Sequence, residues 1–219
     1  MNQRPIRTTF EQKPRVLVPA LPIGNLAAIA NMVRKAGGEP IVTADPTELL
    51  LADRIILAGV GAFDAGMRSL MAGGWLPILH EVANAGRTPI LGICLGMQLM
   101  CRRSEEGKLS GLGWFAADVK RIVATPYSNL KVPHMGWNAL SVKQSAGVFS
   151  GAEAEQRFYF VHSYQVVCDN LSDIVATTMY AGEMTAVIGR AKLLGVQFHP
   201  EKSHRFGLNL VQRFIANSP

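Results

Sequence analysis

The chain has 219 residues, a formal net charge of +6, 48% hydrophobic and 17% charged residues, and three cysteines. That balance excludes a disordered chain and gives ample length to bury a core. The odd, unpaired cysteines argue against a disulfide framework and for a reducing compartment. No C-x-x-C or H-x-x-x-H spacing suggests a metal site, and no apolar run approaches the roughly 20 residues that span a bilayer. A cytoplasmic enzyme without metal or membrane attachment is expected. The basic residues are scattered and not interleaved with aromatic ones, so nucleic acid is not expected as a partner.

In chain order, Arg4, Arg7, Lys13 and Arg15 mark residues 1–14 as an N-terminal arm, expected to be mobile, ahead of a single domain over 15–219. Residues 15–20 read as a first strand, 24–36 as a helix with apolar positions at 26, 29, 30 and 33, and Gly37-Gly38 as its stop. A short strand follows at 40–43. The apolar run at 54–58 reads as a buried parallel strand. It enters Gly59-Val60-Gly61, then helical patterns at 62–71 and 75–85. A second buried strand at 88–93 leads into a helix over 96–103. The second half differs, with strands at 117–123, 157–162, 164–167, 173–179, 184–190 and 193–198, then an amphipathic helix over 203–216. The alternation predicts an α/β fold: a mixed, mainly parallel central sheet with helices on both faces, and antiparallel strands in the C-terminal half.

The chemistry concentrates at two runs. Pro89-Ile-Leu-Gly-Ile-Cys-Leu-Gly-Met-Gln98 places Cys94 between Gly92 and Gly96, the pattern of a strand turning sharply into a helix with a nucleophile at the corner. A thiol there meets the free N–H groups and positive end of a helix, a setting in which cysteines become nucleophilic. Gly195-Val-Gln-Phe-His-Pro-Glu-Lys-Ser203 supplies the complement. If strand geometry continued through Pro200, His199 and Glu201 would share a face and the carboxylate would orient the imidazole. Cys101 and Cys168 read as small packed residues.

At these residues the sequence resembles the class I (triad) glutamine amidotransferases, and within them the glutaminase subunits of imidazole glycerol phosphate synthase. Narrower runs carry the second likeness: Gly59-Val-Gly-Ala-Phe63, Arg103-Ser-Glu-Glu106, Pro133-His-Met-Gly-Trp-Asn138, Phe158-Tyr-Phe-Val-His-Ser-Tyr164 and His199-Pro-Glu-Lys-Ser203. The resemblance implies a flavodoxin-like core and a Cys94–His199–Glu201 triad acting on the side-chain amide of L-glutamine. It also implies an oxyanion hole from the N–H of Leu95 and one from Gly59, Val60 or Gly61. Gln98 and Glu106 would recognise the substrate head with help from Ser163 and Tyr164. A (β/α)₈-barrel synthase would be the heterodimer partner that receives ammonia, met by Asn25, Met135, Trp137 and Lys202. No cofactor is implied.

The chain departs from the family where Asp-Tyr-Gly is usual before Gly-Asn: it reads Pro19-Ala-Leu-Pro-Ile-Gly-Asn25, and Ala58 replaces the usual proline before the oxyanion glycine. Two alternatives stand beside the leading expectation. In one, the ammonia serves amidation of sugars in surface-polysaccharide pathways, a branch that the Ser104–Trp114 stretch resembles. In the other, the subunit is catalytically silent and regulatory.

Overall fold

A computed structural model describes residues 13–123, 130–144, 147–149 and 155–216. Of the expected N-terminal arm, residues 1–12 lie outside the described residues. The first half alternates strands and helices: β1 (Arg15–Pro19), α1 (Leu26–Lys35), β2 (Glu39–Thr43), β3 (Arg54–Gly59), α2 (Phe63–Ala72), α3 (Trp75–Ala85), β4 (Ile90–Cys94) and α4 (Leu95–Leu99). The second half is almost all strand: β5 (Arg103–Ser104), β6 (Ala117–Arg121), β7 (His134–Ala139), β8 (Ser141–Val142), β9 (Arg157–His162), β10 (Tyr164–Cys168), β11 (Ile174–Met179), β12 (Glu183–Arg190) and β13 (Leu193–Val196). The helix α5 (His204–Ala216) closes the described chain.

Among the described residues eleven strands form one sheet, with the main order β2-β1-β3-β4-β13-β12-β10-β6-β5, while β7 and β9 pair as a separate ribbon. Strands β2, β1, β3, β4 and β13 are mutually parallel. From β13 to β12 the direction reverses, and β12, β10 and β6 continue antiparallel. The mixed sheet expected from the sequence is the one observed. β13 lies in register beside β4 with Val196 opposite Ile93, so β3, β4 and β13 all end at one edge. Ligand crevices of open α/β sheets lie at that carboxyl edge.

Because successive strand residues face opposite ways, each central strand feeds two cores. Val16 and Val18, Ile56 and Ala58, and Leu91 and Ile93 meet α1 and α5 on one face. Leu17, Ile55, Leu57 and Ile90 meet α2, α3 and α4 on the other. Strands buried on both faces must be apolar throughout, which is why 54–58 and 90–93 carry no alternation.

Three expectations are corrected. The helix predicted over 96–103 stops at Leu99, because the carbonyls of Leu99, Met100 and Cys101 accept hydrogen bonds from Leu112, Trp114 and Gly113 instead of from the next turn. The strand predicted to 198 ends at Val196, and Pro200–Lys202 forms a 3₁₀ turn. Helix α1 begins two residues later than predicted, because Asn25 is its N-cap and accepts from the Ala28 N–H at 3.1 Å. β7 was missed as a strand, since its outward Met135 and Trp137 are apolar and hide the usual alternation.

Phe214 of α5 is fully buried against the sheet, and its carbonyl accepts from Arg54 Nε at 3.0 Å. Phe214→Ala should cost about 3–5 kcal/mol through the cavity it leaves. The urea unfolding midpoint should fall accordingly, with the slope unchanged.

Candidate active site

The nucleophile elbow is built by sterics. Cys94 sits at φ 52° and ψ −105°, a strained conformation between β4 and α4. A Cβ on Gly96 would overlap the Leu57 carbonyl oxygen of β3, and one on Gly92 would lie 2.8 Å from the Gly96 carbonyl. Both glycines are therefore required for the turn to close. Strain of this kind persists only where the surroundings over-determine it.

His199 and Glu201 meet through a tight turn, not a strand. Proline fixes the first position of the 3₁₀ turn, and Glu201 Oε1 lies 2.7 Å from His199 Nδ1. A carboxylate only accepts, so Nδ1 carries the proton and Nε2 faces away from Glu201. One side chain that the sequence showed only inside a motif, Ser203, and one glycine outside it hold the turn. The buried Ser203 hydroxyl donates to the His199 carbonyl at 2.6 Å and accepts from the Tyr159 N–H at 3.0 Å. Gly207 lets α5 press on the turn, since a Cβ there would overlap the Pro200 carbonyl.

Burial alone would push the His199 pKa down, but hydrogen bonding and charge from Cys94, then from Glu201, outweigh it and raise the value to about 9. The imidazole is thus cationic at neutral pH. Its Nε2, like Glu201 Oε2, is buried without a conventional hydrogen bond. It is the atom left over for the sulfur and for an incoming group.

A cleft of about 580 Å³ opens over this pair, lined by Val60, Gly61, Cys94, Leu95, Gln98, Glu106, His162, Ser163, Tyr164, His199 and Lys202. The geometry brings the sequence-predicted groups together with two qualifications. The Val60 N–H donates to the Ile23 carbonyl at 2.5 Å, so it is already taken. Glu106 Oε2 accepts from the Phe63 N–H at 2.8 Å, capping α2 at the cleft wall. Gly59 lies opposite Cys94 in register, and Gly61 has φ 99°.

The residues expected at a partner surface are all exposed. Met135 and Trp137 project outward from β7 at 60% and 46% exposure. Trp137 stacks on His204 at 5.4 Å, and the exposed Lys202 ammonium lies 5.6 Å from the Tyr159 ring. Asn25 is exposed as well as capping α1.

The glutamine amidotransferase class-I family model matches residues 24–217. The chain belongs to the class I glutamine amidotransferases. Among its relatives, the imidazole glycerol phosphate synthase subunit HisH 2 of Methanococcus maripaludis is 42% identical over 88% of this chain and 95% of its own. The HisH subunit of Synechococcus elongatus is also 42% identical, over 92% of this chain and 93% of its own. Among solved structures, PurLQS from Thermotoga maritima shares the fold at a TM-score of 0.70 and 19% identity, covering 94% of this chain and 99% of that one. A glutamine amidotransferase from the same organism superposes at 0.63 and 18%, covering 87% and 77%.

Sequence reasoning overlooked one feature of this amidotransferase. Two buried histidines form a directional chain beside the cleft. His162 Nδ1 donates to the Tyr164 carbonyl at 2.8 Å, which leaves Nε2 as acceptor from His134 Nδ1 at 2.9 Å. The Asn138 amide lies 3.5 Å from His134 Nε2 and donates to the Met179 carbonyl at 2.7 Å. Both rings are neutral, with burial lowering His134 to about 4 and His162 to about 3. Both histidines lie in runs that carry the family likeness, but a separation of 28 residues gave no sign that they pair.

The pH dependence of stability has two limbs. The unfolded chain protonates its histidines near 6.5 while His134 and His162 resist, so the unfolded state binds more protons and stability falls as pH drops from about 6.5 toward 4. His199 works in the opposite sense: its contribution is complete below about 6.5 and is lost as pH rises through about 9. His162→Asn should flatten the acid limb of the melting temperature while leaving the alkaline limb alone. An unchanged acid limb would show that the pair is not neutral in the native state.

Among the described residues no group of three or more His, Cys, Asp or Glu is placed to hold a metal ion, and no helix is long and apolar enough to cross a membrane.

Proposed function

We propose that the chain is the glutaminase subunit of an imidazole glycerol phosphate synthase, hydrolysing L-glutamine and delivering ammonia to a (β/α)₈-barrel partner in histidine biosynthesis. The observation that carries the chemistry is the His199–Glu201 pair, held 2.7 Å apart on the same cleft as a strained cysteine. The acceptor is supported by HisH relatives at about 40% identity along most of the chain. They do not favour sugar amidation or a silent subunit. The reading makes it a cytoplasmic enzyme.

On this reading Cys94 Sγ attacks the side-chain carbonyl carbon of glutamine, and the oxygen becomes an oxyanion. His199 donates its Nε2 proton to the leaving nitrogen, ammonia departs, and a thioester remains. His199, now neutral, takes a proton from water, which hydrolyses the thioester to glutamate and restores Cys94. Glu201 keeps the proton on Nδ1 and stabilises the cation. The Leu95 N–H, at the first turn of α4, supplies one oxyanion donor. Gln98, Glu106, Ser163 and Tyr164 line the wall that would hold the substrate head.

The second oxyanion donor is the regulated part. With its N–H held by Ile23, Val60 presents nothing to the oxyanion. A rotation of the peptide between the two glycines would free it, and glycine at 59 and 61 keeps that rotation open. A partner that binds the rotated state better shifts the population toward it. The exposed residues Asn25, Met135, Trp137 and Lys202 are the ones we assign to that partner's surface.

Cys94→Ala should reduce glutamine hydrolysis by at least about 10³-fold, yet leave synthesis from added ammonium intact in the complex. His199→Asn should cost roughly 10²–10⁴-fold, and Glu201→Gln less. A larger loss for Glu201→Gln would invert these roles.

Steady-state hydrolysis measured for the subunit alone, with the barrel partner, and with partner plus its acceptor substrate should rise at each step. Trp137→Ala and Lys202→Ala should weaken activation more than glutamine binding. Equal rates in all three states would leave a stand-alone amidase.

A further inference from the structure

Gln197 is fully buried one residue beyond the end of β13 and takes no part in the scheme above. A neutral amide with both ends out of reach of water needs partners for both. Its Nε2 lies 3.6 Å from Cys94 Sγ, and its Oε1 accepts from Gln98 Nε2 at 3.2 Å. Gln98 Nε2 also donates to the Tyr164 carbonyl, at 3.4 Å.

Which end of each amide is nitrogen follows from the carbonyl. The Tyr164 oxygen can only accept, so the Gln98 atom facing it must be the NH₂ group. That NH₂ also faces Gln197, so the facing Gln197 atom must be the oxygen. The Gln197 NH₂ is then left pointing at the sulfur. The Gln197 backbone is fixed as well, its N–H donating to the Ala186 carbonyl at 2.9 Å.

The geometry points to Gln197 as a positioning residue for the nucleophile, its amide donating to the Cys94 sulfur and its orientation set by Gln98 and the Tyr164 carbonyl. The inference rests on the functional reading of Cys94 given above and adds a third group to the environment of the sulfur. His199 offers the sulfur a mobile proton. Gln197 offers one that cannot leave, because an amide does not ionise in the working pH range. A donor of that kind stabilises negative charge on the sulfur without being consumed by it. It is also shielded from competing water, where hydrogen bonds to charged groups are strongest.

The test is the pH dependence of Cys94 alkylation by iodoacetamide, followed on the Cys94 peptide by mass spectrometry in the full chain without partner. Cys101 and Cys168 contribute little, since burial pushes both thiols up, Cys168 to about 11. Gln197→Met keeps the volume and removes the donor. Its alkylation midpoint should move to higher pH, with about tenfold slower alkylation on the acid side, the equivalent of about one pKa unit. Gln98→Met keeps the donor but frees its orientation, and should give a smaller shift in the same direction.

A packing role alone would lower the melting temperature and leave the midpoint where it is. An unshifted midpoint in folded Gln197→Met overturns the proposal. If that variant does not fold, an unshifted Gln98→Met profile does so instead. The failures are separable: wild-type protein that hydrolyses no glutamine with its partner sinks the functional reading, whereas an unshifted variant profile in an active glutaminase sinks only the role of Gln197.

Discussion

The close approach of α4 to β3 is the constraint on which the site depends. Gly96 touches the Leu57 carbonyl, and that contact lets β4 turn within one residue and lift Cys94 onto the carboxyl edge of the sheet. Any side chain at position 96 would push α4 off the sheet, carrying Leu95 and Gln98 with it. The strain at Cys94 is tolerated because the flanking positions leave no alternative path. The parallel register of β4 with β3 and β13 then fixes where Gly59 and the segment after Val196 emerge.

A second constraint operates on the C-terminal side. The segment after β13 must reverse from strand into helix within a few residues while keeping an imidazole and a carboxylate together. Pro200 makes the reversal by fixing its own φ, Ser203 ties both sides of it, and Gly207 lets α5 close from below. The result is a pair of ionisable groups held 2.7 Å apart with almost no solvent. Removing solvent would ordinarily neutralise the histidine. The sulfur and carboxylate reverse that outcome, so the site works by arranging charges around a buried ring.

Much of this was legible in the sequence, for physical reasons that differ by element. The buried strands 54–58 and 90–93 announced themselves because two-sided burial demands unbroken apolar runs. The elbow was legible because only glycine fits two positions that flank the nucleophile. The His199–Glu201 pairing was also legible, although through the wrong geometry: a strand was expected where proline makes a turn. Helix α4 was overextended because helical propensity at 100–103 lost to hydrogen bonds arriving from residues 112–114. What could not be read were contacts between distant segments. The His134–His162 pair and the Gln98–Gln197 pair join residues 28 and 99 positions apart, and neither has a periodicity to betray it.

The histidine chain has a consequence for the traffic of protons. From the Asn138 amide through His134 and His162 to the Tyr164 carbonyl, every donor points the same way, and each end terminates in an amide group that neither gains nor loses a proton near neutrality. Such a row is an insulator: it is polar enough to satisfy its members, yet it has no entrance and no exit. The hydrogen bonds of this row run to the Tyr164 carbonyl and not to the imidazole of His199. In the proposed cycle His199 therefore exchanges its proton on the cleft side, giving it to the leaving nitrogen and regaining it from the water that cleaves the thioester, while the acid proton of the product leaves through the open cleft.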